Sequence, residues 1–493
     1  MVKILYEGLN SPKNLRTNLI GLKMELNQPE SVLELQELLQ GDYTLFMKLL
    51  CHKEPKVRKN AALILGKLKA DEAMELLWET YQNEEQLFLK GDYLKAMRSL
   101  AYEPYLSKLQ KRLDELEEYK PAVEEQKHIR EEIMSLQKLV RAGVFHKNHR
   151  FSGYETTYEV ILTTGKVWQE ITKQQIENGR STILKSGVKV ITNDIRSLLT
   201  IPTYRELLFP LNVKRIGPNP EQAAKSLAES NLLELLDQGH QEGGTYYFRL
   251  GLHSKIPLDV RSEFAKKCGF ELEKQSNHRL CNSTSDYEIE IRLMESMDGT
   301  FLPLVKLFTL PDTRFSYRKN TVAASIRPAQ AAVIAALARP YMKEEAQILD
   351  PFCGVGTMLL ERNRICPAKV MYGIDIFGPA IAKARENTQE AGKTVYYINR
   401  DYFQFTHEYL FDEIITNMPE KGRKTKEEQE ELYRNFFEKS LELLQEKGKI
   451  MMYCNEKNLV KKHLRLRTDM MLLQEYSMDD KEKYYLFMIE KRG

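Results

Sequence analysis

The sequence has few cysteines, and their placement excludes the protein classes that depend on them. Six occur among 493 residues: Cys51, Cys268, Cys281, Cys353, Cys366 and Cys454. None belongs to a Cys-x-x-Cys pair, and their spacing suits neither a zinc site nor a disulfide framework. We therefore expect free, buried thiols in a reducing compartment and no metal site.

Long apolar runs are also missing. No stretch approaches the roughly 20 residues that a membrane-spanning helix needs, and the first residues lack the apolar core of a signal peptide. A strong excess of one charge is absent too, since 73 Lys and Arg residues stand against 70 Asp and Glu residues. We expect a cytoplasmic protein without membrane contact, in which any nucleic-acid surface is a local basic cluster.

What the sequence does contain is enough chain for several folded regions. Its 493 residues favour two to four domains, and a hydrophobic content of 42% is ordinary for a globular protein. The residue patterns change near 145–150 and again near 310. These changes predict domains over residues 1–145, 150–310 and 311–493.

The first region has the apolar periodicity of α-helices. Four residues after Pro55 share one helical face: Val57, Ala61, Leu65 and Leu68. About thirty residues later Leu94, Met97 and Leu100 repeat the pattern, which is typical of stacked helical pairs. The arrangement resembles HEAT-like repeats and implies an all-α domain that offers a surface to a protein or RNA partner.

A charged helical stretch closes this region. It runs from Leu106 to Ala142 and is interrupted by Pro121. We expect its charges to cover a solvated face, since charge runs on helices are usually exposed. A helix that binds a partner is the alternative interpretation.

The second region has the mixed pattern of an α+β domain. β-Branched and aromatic residues predict strands at 158–163 and 246–252. A helix is predicted over 259–268, and two alternating strands follow at 287–293 and 301–307. Asp298-Gly299 lies between these two strands and predicts a hairpin turn. In layout, the helix and hairpin resemble the end of a THUMP-type RNA-binding domain; an unrelated α+β spacer is the alternative.

The third region alternates strands and helices. Seven strands are predicted, with helical patterns between the first five: 347–352, 370–375, 395–398, 413–416, 449–453, 471–476 and 484–489. Such alternation predicts a parallel, doubly wound sheet. Residues 477–482 are too few for a crossover helix, so the last two strands must be antiparallel. This α/β layout, Rossmann-like with an antiparallel last strand, resembles that of the class I methyltransferases.

The most informative segment is Asp350-Pro351-Phe352-Cys353-Gly354-Val355-Gly356-Thr357, which leads from a buried strand through a glycine turn into a helix. Its two glycines allow a tight bend and a close approach to a ligand, and amides at a helix start would face that ligand. A dinucleotide site needs a third glycine where Leu359 stands, so a smaller nucleoside cofactor is favoured. Asp375 ends the next strand and is predicted to bind ribose hydroxyls; capping the following helix is the alternative.

The same segment closely resembles motif I of the RNA and DNA amino-methyltransferases. With the lead-in residues Tyr317-Arg318 and Ile326-Arg327-Pro328, it makes residues 311–493 similar to the THUMP-linked RNA methyltransferases, which modify the exocyclic amine of guanine in tRNA or rRNA. The resemblance implies S-adenosylmethionine as cofactor and RNA as partner. It implies the following cofactor-binding residues: Asp350, Pro351, Phe352, Cys353, Gly354, Gly356, Thr357, Asp375, Ile376, Asp401 and Asn417. For Asp401, a loop cap is the alternative to a contact with the adenine amine.

The resemblance places the methyl-transfer site at Asn417-Met418-Pro419-Glu420, where the family has Asn/Asp-Pro-Pro-aromatic. The Asn417 carbonyl, with a backbone carbonyl beside Pro419, would accept the two hydrogens of an exocyclic amine and localise its lone pair. Met418 replaces the first proline of the motif. Glu420 replaces the aromatic residue that would stack on the base, and we hypothesise that it accepts hydrogen bonds from guanine instead.

Basic residues follow this motif directly. Lys421, Arg423 and Lys424, together with Arg318, are predicted to contact RNA phosphates. A second basic group lies after the fifth strand: Lys461, Lys462, Arg465 and Arg467. For the second group a solvated charged face is an equal alternative, and Arg318 and Arg327 could instead pair with acids.

Three rival functions follow from the same residues. A protein that binds RNA but has lost catalysis through Glu420 is the first. A DNA adenine methyltransferase shares the core but usually carries a target-recognition domain and an intact Asn-Pro-Pro-aromatic motif, and the sequence has neither. An NAD-dependent enzyme is excluded by the missing third glycine and the antiparallel strand pair.

Overall fold

A computed structural model describes residues 1–11, 14–119, 121–122, 124–143, 149–213, 215–479 and 483–493. The chain divides into two compact units, Met1–Lys147 and Asn148–Gly493. The predicted domain boundary at 145 lies outside the described residues. None of the helices in these described ranges is long and apolar enough to cross a membrane.

The first unit is built from helices. Within the described residues these are α1 (Val2–Glu7), α2 (Leu15–Glu25), α3 (Pro29–Leu39), α4 (Thr44–Leu50), α5 (Pro55–Leu68), α6 (Met74–Asn83), α7 (Leu87–Met97), α8 (Leu106–Glu118) and α9 (Gln126–Gly143). Pro55 occupies the first turn of α5, where its missing N–H costs nothing. The apolar face predicted for α5 is buried in the core of the unit. Gly66 lets α5 approach α7, because a Cβ atom there would lie 2.9 Å from the Ala96 backbone.

Most described charges of 106–142 are exposed as expected, for example Lys111, Asp114 and Arg130, but one acid is an exception. Glu132 on α9 is fully buried. It accepts hydrogen bonds from the Tyr81 hydroxyl at 2.6 Å and from Arg112 Nε at 3.1 Å. A buried carboxylate is tolerated when it is paired in this way, so this charge belongs to the interior of the unit.

The second unit begins with a mixed sheet. Its strands are β1 (Tyr158–Thr163), β2 (Arg180–Leu184), β3 (Gly187–Thr192), β4 (Leu207–Pro210), β5 (Tyr246–His253), β6 (Leu280–Asn282), β7 (Ile289–Glu295) and β8 (Phe301–Leu307), in the order β2-β3-β1-β4-β8-β7-β5-β6. The helices of this part are α10 (Gln169–Lys173), α11 (Ile195–Leu198), α12 (Pro220–Ala228), α13 (Leu232–Gly239) and α14 (Leu258–Gln275). The predicted hairpin is present as β7 and β8. Gly299 has φ +75° in its turn, and Asp298 accepts a hydrogen bond from Thr300 N.

A second sheet follows, with strands β9 (Ala346–Asp350), β10 (Ala368–Asp375), β11 (Tyr396–Asn399), β12 (Phe411–Asn417), β13 (Leu444–Cys454), β14 (Met470–Ser477) and β15 (Tyr485–Lys491). Their order is β11-β10-β9-β12-β13-β15-β14, in which β15 is antiparallel to both of its neighbours and the other pairs are parallel. This arrangement has the predicted antiparallel last strand. Residues 480–482 of the predicted connecting turn lie outside the described residues.

The helices of this part are α15 (Pro328–Ala338), α16 (Thr357–Ile365), α17 (Gly378–Glu390), α18 (Lys426–Leu443) and α19 (Lys457–Arg465). The prediction of a helical pattern between each of the first five strands is wrong at one connection. Between β11 and β12 the described chain has a single 3₁₀ turn, Tyr402–Gln404. Aromatic side chains cover the sheet here instead: Tyr402 packs against Phe352 and Phe436.

The two sheets of the second unit are joined by buried side chains. Trp168 packs among core residues of the second sheet, and its Nε1–H donates to the Met478 carbonyl at 3.2 Å. Arg314 donates to the carbonyls of Ile201 and Tyr204 at 3.1 and 2.9 Å. The Trp168 bond ties the β14–β15 connection to the first sheet, and the Arg314 bonds hold the segment after β8 against the chain that precedes β4.

Candidate functional site

The turn between β9 and α16 has the open bend that its glycines predict. Gly354 and Gly356 have φ +53° and +83°, in the left-handed region that favours glycine. A Cβ atom on Gly356 would lie 2.1 Å from the Tyr397 hydroxyl, whereas one on Gly354 would meet nothing within 4 Å. Gly356 is therefore required by packing, and Gly354 faces free space that a ligand can enter.

Asp375 ties this turn to the next strand. Its Oδ2 accepts from Gly354 N and its Oδ1 from Phe377 N, both at 2.8 Å. It does not cap the following helix, because α17 begins after Phe377 with no side-chain cap. Each carboxylate oxygen has a further lone pair for a hydroxyl ligand.

Asp350 is a buried acid with one oxygen unused. It is 1% exposed, and its Oδ1 accepts from Phe352 N at 3.1 Å. Its Oδ2 has no hydrogen-bond partner among the described residues. Burial, together with the nearby charge of Asp375, raises the pKa of Asp350 to about 8. A cationic ligand group would both pair with this oxygen and restore its charge.

The other predicted cofactor residues have mixed environments. Phe352 packs against Tyr402, and Cys353 is buried with the pKa of its thiol raised by burial. Thr357 is also buried, and Pro351 begins the turn. Ile376 is 75% exposed directly after Asp375 and offers an apolar surface.

Asp401 caps the loop after β11, which is the alternative role considered for it. It begins the 3₁₀ turn after β11, and its side chain accepts from Phe403 N at 3.0 Å. This is the loop-capping geometry, in which a short polar side chain bonds the backbone two residues on. Its contact with a cofactor remains a prediction.

Asn417 ends β12 at the same edge of the sheet as Asp350. Glu413 and Ile414 pair with Ile348 and Leu349 in parallel register, so both strands present their carboxyl ends together. The Asn417 side chain makes no hydrogen bond within the described ranges, and Met418 N donates to Tyr453 O at 2.9 Å. The Pro419 carbonyl accepts from Gln429 Nε2 at 3.2 Å, which steadies the loop and leaves the Asn417 amide open to a ligand.

Three residues missed in the sequence surround this strand tip. The Tyr484 hydroxyl donates to Glu420 Oε1 at 2.5 Å, and its ring lies parallel to that of Tyr453 with centroids 5.3 Å apart. The Tyr453 hydroxyl accepts from Gln330 Nε2. Tyr453 and Tyr484 had a sequence signal, since they end and begin predicted strands, but nothing in the pattern placed Tyr484 beside Glu420.

The two basic groups differ in their pairing. Lys421, Arg423 and Lys424 make no ion pair within the described part of the chain. In the second group, three side chains pair with acids: Lys461 with Glu475, Lys462 with Glu430, and Arg467 with Glu438. The solvated-face interpretation therefore suits the second group, and the first keeps its charge available.

Arg318 is partly buried. It donates to the Ile326 carbonyl at 2.9 Å, and burial lowers the pKa of its guanidinium. Nearby, a cleft of about 460 Å³ opens beside Gln330 and is lined by Trp168, Arg205, Phe315 and Arg327, among others. Arg327 is exposed there and has no ion pair among the described residues. A cation is thus available close to the strand tip.

Comparison with known proteins shows what this part of the chain is similar to. Residues 316–481 match the family model for the RMKL-like methyltransferase domain. The U6 snRNA (guanine-N(2))-methyltransferase THUMPD2 of Bos taurus is 30% identical over 165 residues, which are 33% of this chain and 31% of that protein. The chain thus aligns with about a third of the length of this relative.

A solved structure shows the fold over a longer stretch. TrmN from Thermus thermophilus is similar with a TM-score of 0.51 and 18% identity, covering 68% of this chain and 99% of that one. The expected α/β methyltransferase fold at the C-terminal end is confirmed, as are the N-terminal helices.

Proposed function

We propose that the chain is an S-adenosylmethionine-dependent methyltransferase that modifies the exocyclic amine of a guanine in RNA. The proposal depends on one observation. At a single edge of the sheet lie the buried Asp350 carboxyl, one oxygen of which accepts no hydrogen bond, and the Asn417 side-chain amide, which makes none within the described residues. The named activity of the bovine relative, guanine-N2 methylation of U6 snRNA, supports the reaction. It adds small nuclear RNA to tRNA and rRNA as a substrate class to be tested.

The residues fit the proposed cofactor. Asp350 can pair with an ammonium group such as that of its methionine part, because the carboxyl has a free oxygen in a buried site. The Asp375 carboxylate suits two ribose hydroxyls, and the space at Gly354 admits a ligand against the backbone. When bound, the cofactor supplies a methyl group on a positively charged sulfur.

The chain contributes positioning to the reaction. Asn417 Oδ1 would accept one hydrogen of the guanine amine, and the Met418 carbonyl, held beside Pro419, would accept the other. These contacts localise the nitrogen lone pair and aim it at the methyl group. No strong base is needed before transfer, because the nitrogen carries a positive charge and becomes acidic only once it has been methylated. It then passes one proton to water.

The finer assignments belong to the same proposal. The cluster Lys421, Arg423 and Lys424 would contact phosphates, since it lies beside the strand tip without acidic partners. Arg318 and Arg327 would add contacts from the lead-in segment. We further propose that the sheet β1–β8 with its helices is a THUMP-like RNA-binding domain, and that the HEAT-like helices α1–α9 bind a protein or RNA partner.

Methyl transfer to RNA tests the proposal directly. The full chain is incubated with tritiated S-adenosylmethionine and total RNA from a strain that lacks the gene, and labelled nucleosides are identified by mass spectrometry. We expect N2-methylguanosine, and loss of at least ~100-fold in rate for Asn417→Ala. Asn458→Ala, on the exposed side of α19, is the matched control.

Two results of this experiment would contradict the proposal. Cofactor binding without label in any RNA would favour the rival RNA-binding protein that has lost catalysis. Label on adenine in DNA would favour the DNA methyltransferase. Either outcome removes guanine in RNA as the substrate.

A further inference from the structure

The strand tip lacks the aromatic residue that the motif predicts, yet an aromatic ring is present there. Glu420 stands at the aromatic position of the motif. Its carboxylate accepts a hydrogen bond of 2.5 Å from the hydroxyl of Tyr484, which directly precedes β15. The bond joins residues 64 positions apart in the chain. Glu420 therefore holds a tyrosine close to the place where the motif would have its own ring.

The tyrosine is fixed from several sides. Its ring lies at 9° to that of Tyr453, with centroids 5.3 Å apart, and its carbonyl accepts from Met478 N at 2.8 Å. Tyr453 is the register partner of Asn417 in the β12–β13 pair. The Tyr484 ring thus stacks on Tyr453, and Tyr453 lies directly beside Asn417, whose amide is the proposed acceptor.

Its exposure and protonation suit a ligand contact. Tyr453 is buried, whereas Tyr484 keeps part of its surface exposed. The bond to Glu420, followed by burial, raises the pKa of Tyr484 to about 12. The phenol therefore stays neutral and its O–H stays a donor under ordinary conditions, so the link to Glu420 persists.

We propose that Tyr484 supplies the aromatic face on which the target purine stacks, and that Glu420 is the positioning residue that holds it. This inference rests on the proposed methyl transfer to a guanine. It also changes the role predicted for Glu420, whose carboxylate then serves the tyrosine rather than the guanine edge. Stacking suits a base drawn out of its RNA, since each base presents a π-face.

Two substitutions at one position separate the ring from the hydrogen bond. Tyr484→Phe keeps the ring and loses the donor, and Tyr484→Ala loses both. Each full-length variant is assayed for methyl transfer to RNA and for cofactor affinity. Tyr396→Ala is the matched control, since Tyr396 is 55% exposed at the start of β11, away from the strand tip.

We expect Tyr484→Ala to lower kcat/KM for RNA about 10- to 100-fold, the range for removal of one base-stacking aromatic. Tyr484→Phe should recover most of this loss, and the cofactor dissociation constant should change less than about twofold in both. Glu420→Gln can still accept from the phenol and should stay close to wild type. An alanine variant as active as wild type, or a phenylalanine variant as weak as the alanine one, would overturn the role of the ring.

A second measurement covers the case in which the alanine variant does not fold. Wild-type protein is irradiated with bound RNA, and the cross-linked peptides are mapped by mass spectrometry. A nucleotide attached to Tyr484 supports the inference, and cross-links confined to other segments oppose it. Absence of methyl transfer by the wild-type chain would instead be a failure of the proposed function, so the two failures are distinguishable.

Discussion

At the scale of single residues, burial makes the charged form of one carboxyl unfavourable. Asp350 is buried with one unused oxygen, and its pKa is raised to about 8. A folded-state pKa above the unfolded value means that the fold prefers the protonated acid. The stabilising contribution is present below about pH 4 and is lost as the pH rises towards 8.

Asp350→Asn should therefore stabilise the ligand-free second unit at high pH and weaken cofactor binding. The asparagine avoids burial of a charge, so we expect a gain of about 2–4 kcal/mol at pH 9 and little change near pH 4. Trp168, one of two tryptophans, reports on this unit if Trp78 is replaced by Phe. Urea unfolding followed by its fluorescence at pH 4 and pH 9 measures the difference.

The exposed substitution Asp259→Asn on α14 is the control, and it should show no pH-dependent gain. Equal stability of Asp350→Asn and wild type at pH 9 would mean that the carboxyl is not strained. In that case its role as a reserved partner for a cationic group would lose its basis.

The two glycines of the turn make opposite predictions when replaced by alanine. The added methyl group of Gly354→Ala meets free space, so the variant should lose only about 1 kcal/mol of stability, because of the positive φ. The same methyl group should obstruct the cofactor and lower its affinity at least ~10-fold. Gly356→Ala collides with Tyr397 and should lower stability by more than about 2 kcal/mol. Thermal melts and cofactor titrations of both variants separate the two roles; equal destabilisation would contradict them.

At the scale of elements, the sequence predicted the second sheet well and the first sheet in part. The central strands of the second sheet contain apolar runs that are buried on both faces, such as Ile348 and Leu349 in β9. Four strands of the first sheet were not predicted, β2, β3, β4 and β6. β2 has no buried residue that would mark it as part of a core, and β6 has only three residues. The 3₁₀ turn before β12 was predicted as a helix. In the structure aromatic side chains such as Tyr402 cover the sheet at this point, and the local sequence pattern does not reveal this packing.

The same distinction holds for the site. Asp350, Asp375 and Asn417 could be named from the sequence because each directly follows or ends a strand, and parallel strands end at one edge. Tyr453, Tyr484 and Gln330 could not, since only contacts between distant elements bring them there. Their roles depend on the antiparallel return of β15 beside β13.

At the scale of the whole molecule, the first sheet reaches the site through Trp168. Its indole N–H donates to Met478, whose own amide bonds the Tyr484 carbonyl. Trp168→Phe keeps the apolar packing and removes this donor, so methyl transfer should fall about 2- to 10-fold, the value of one hydrogen bond. Cofactor affinity should not change, and Trp78→Phe in the first unit is the control. An unaltered rate of methyl transfer for Trp168→Phe would show that this hydrogen bond does not link the first sheet to the site.

RNA binding by the first basic cluster is also a property of the whole molecule. Replacing Lys421, Arg423 and Lys424 by alanine should weaken RNA binding and flatten its salt dependence by ~0.7 log units per decade of salt for each single-strand phosphate that the protein no longer neutralises. Lys461→Ala with Lys462→Ala serves as the control, since those side chains are already paired with acids. Filter binding over a range of salt concentrations measures the slopes, and identical slopes in the two variants would contradict phosphate binding by the first cluster.

The bond between Glu420 and Tyr484 has a consequence for the history of such chains. An aromatic ring at position 420 would make a tyrosine at 484 dispensable, whereas an acid at 420 without that tyrosine would leave the motif with no ring. Substitutions at the two positions should thus occur together among related chains, although two helices and two strands, α18 to β14, lie between them.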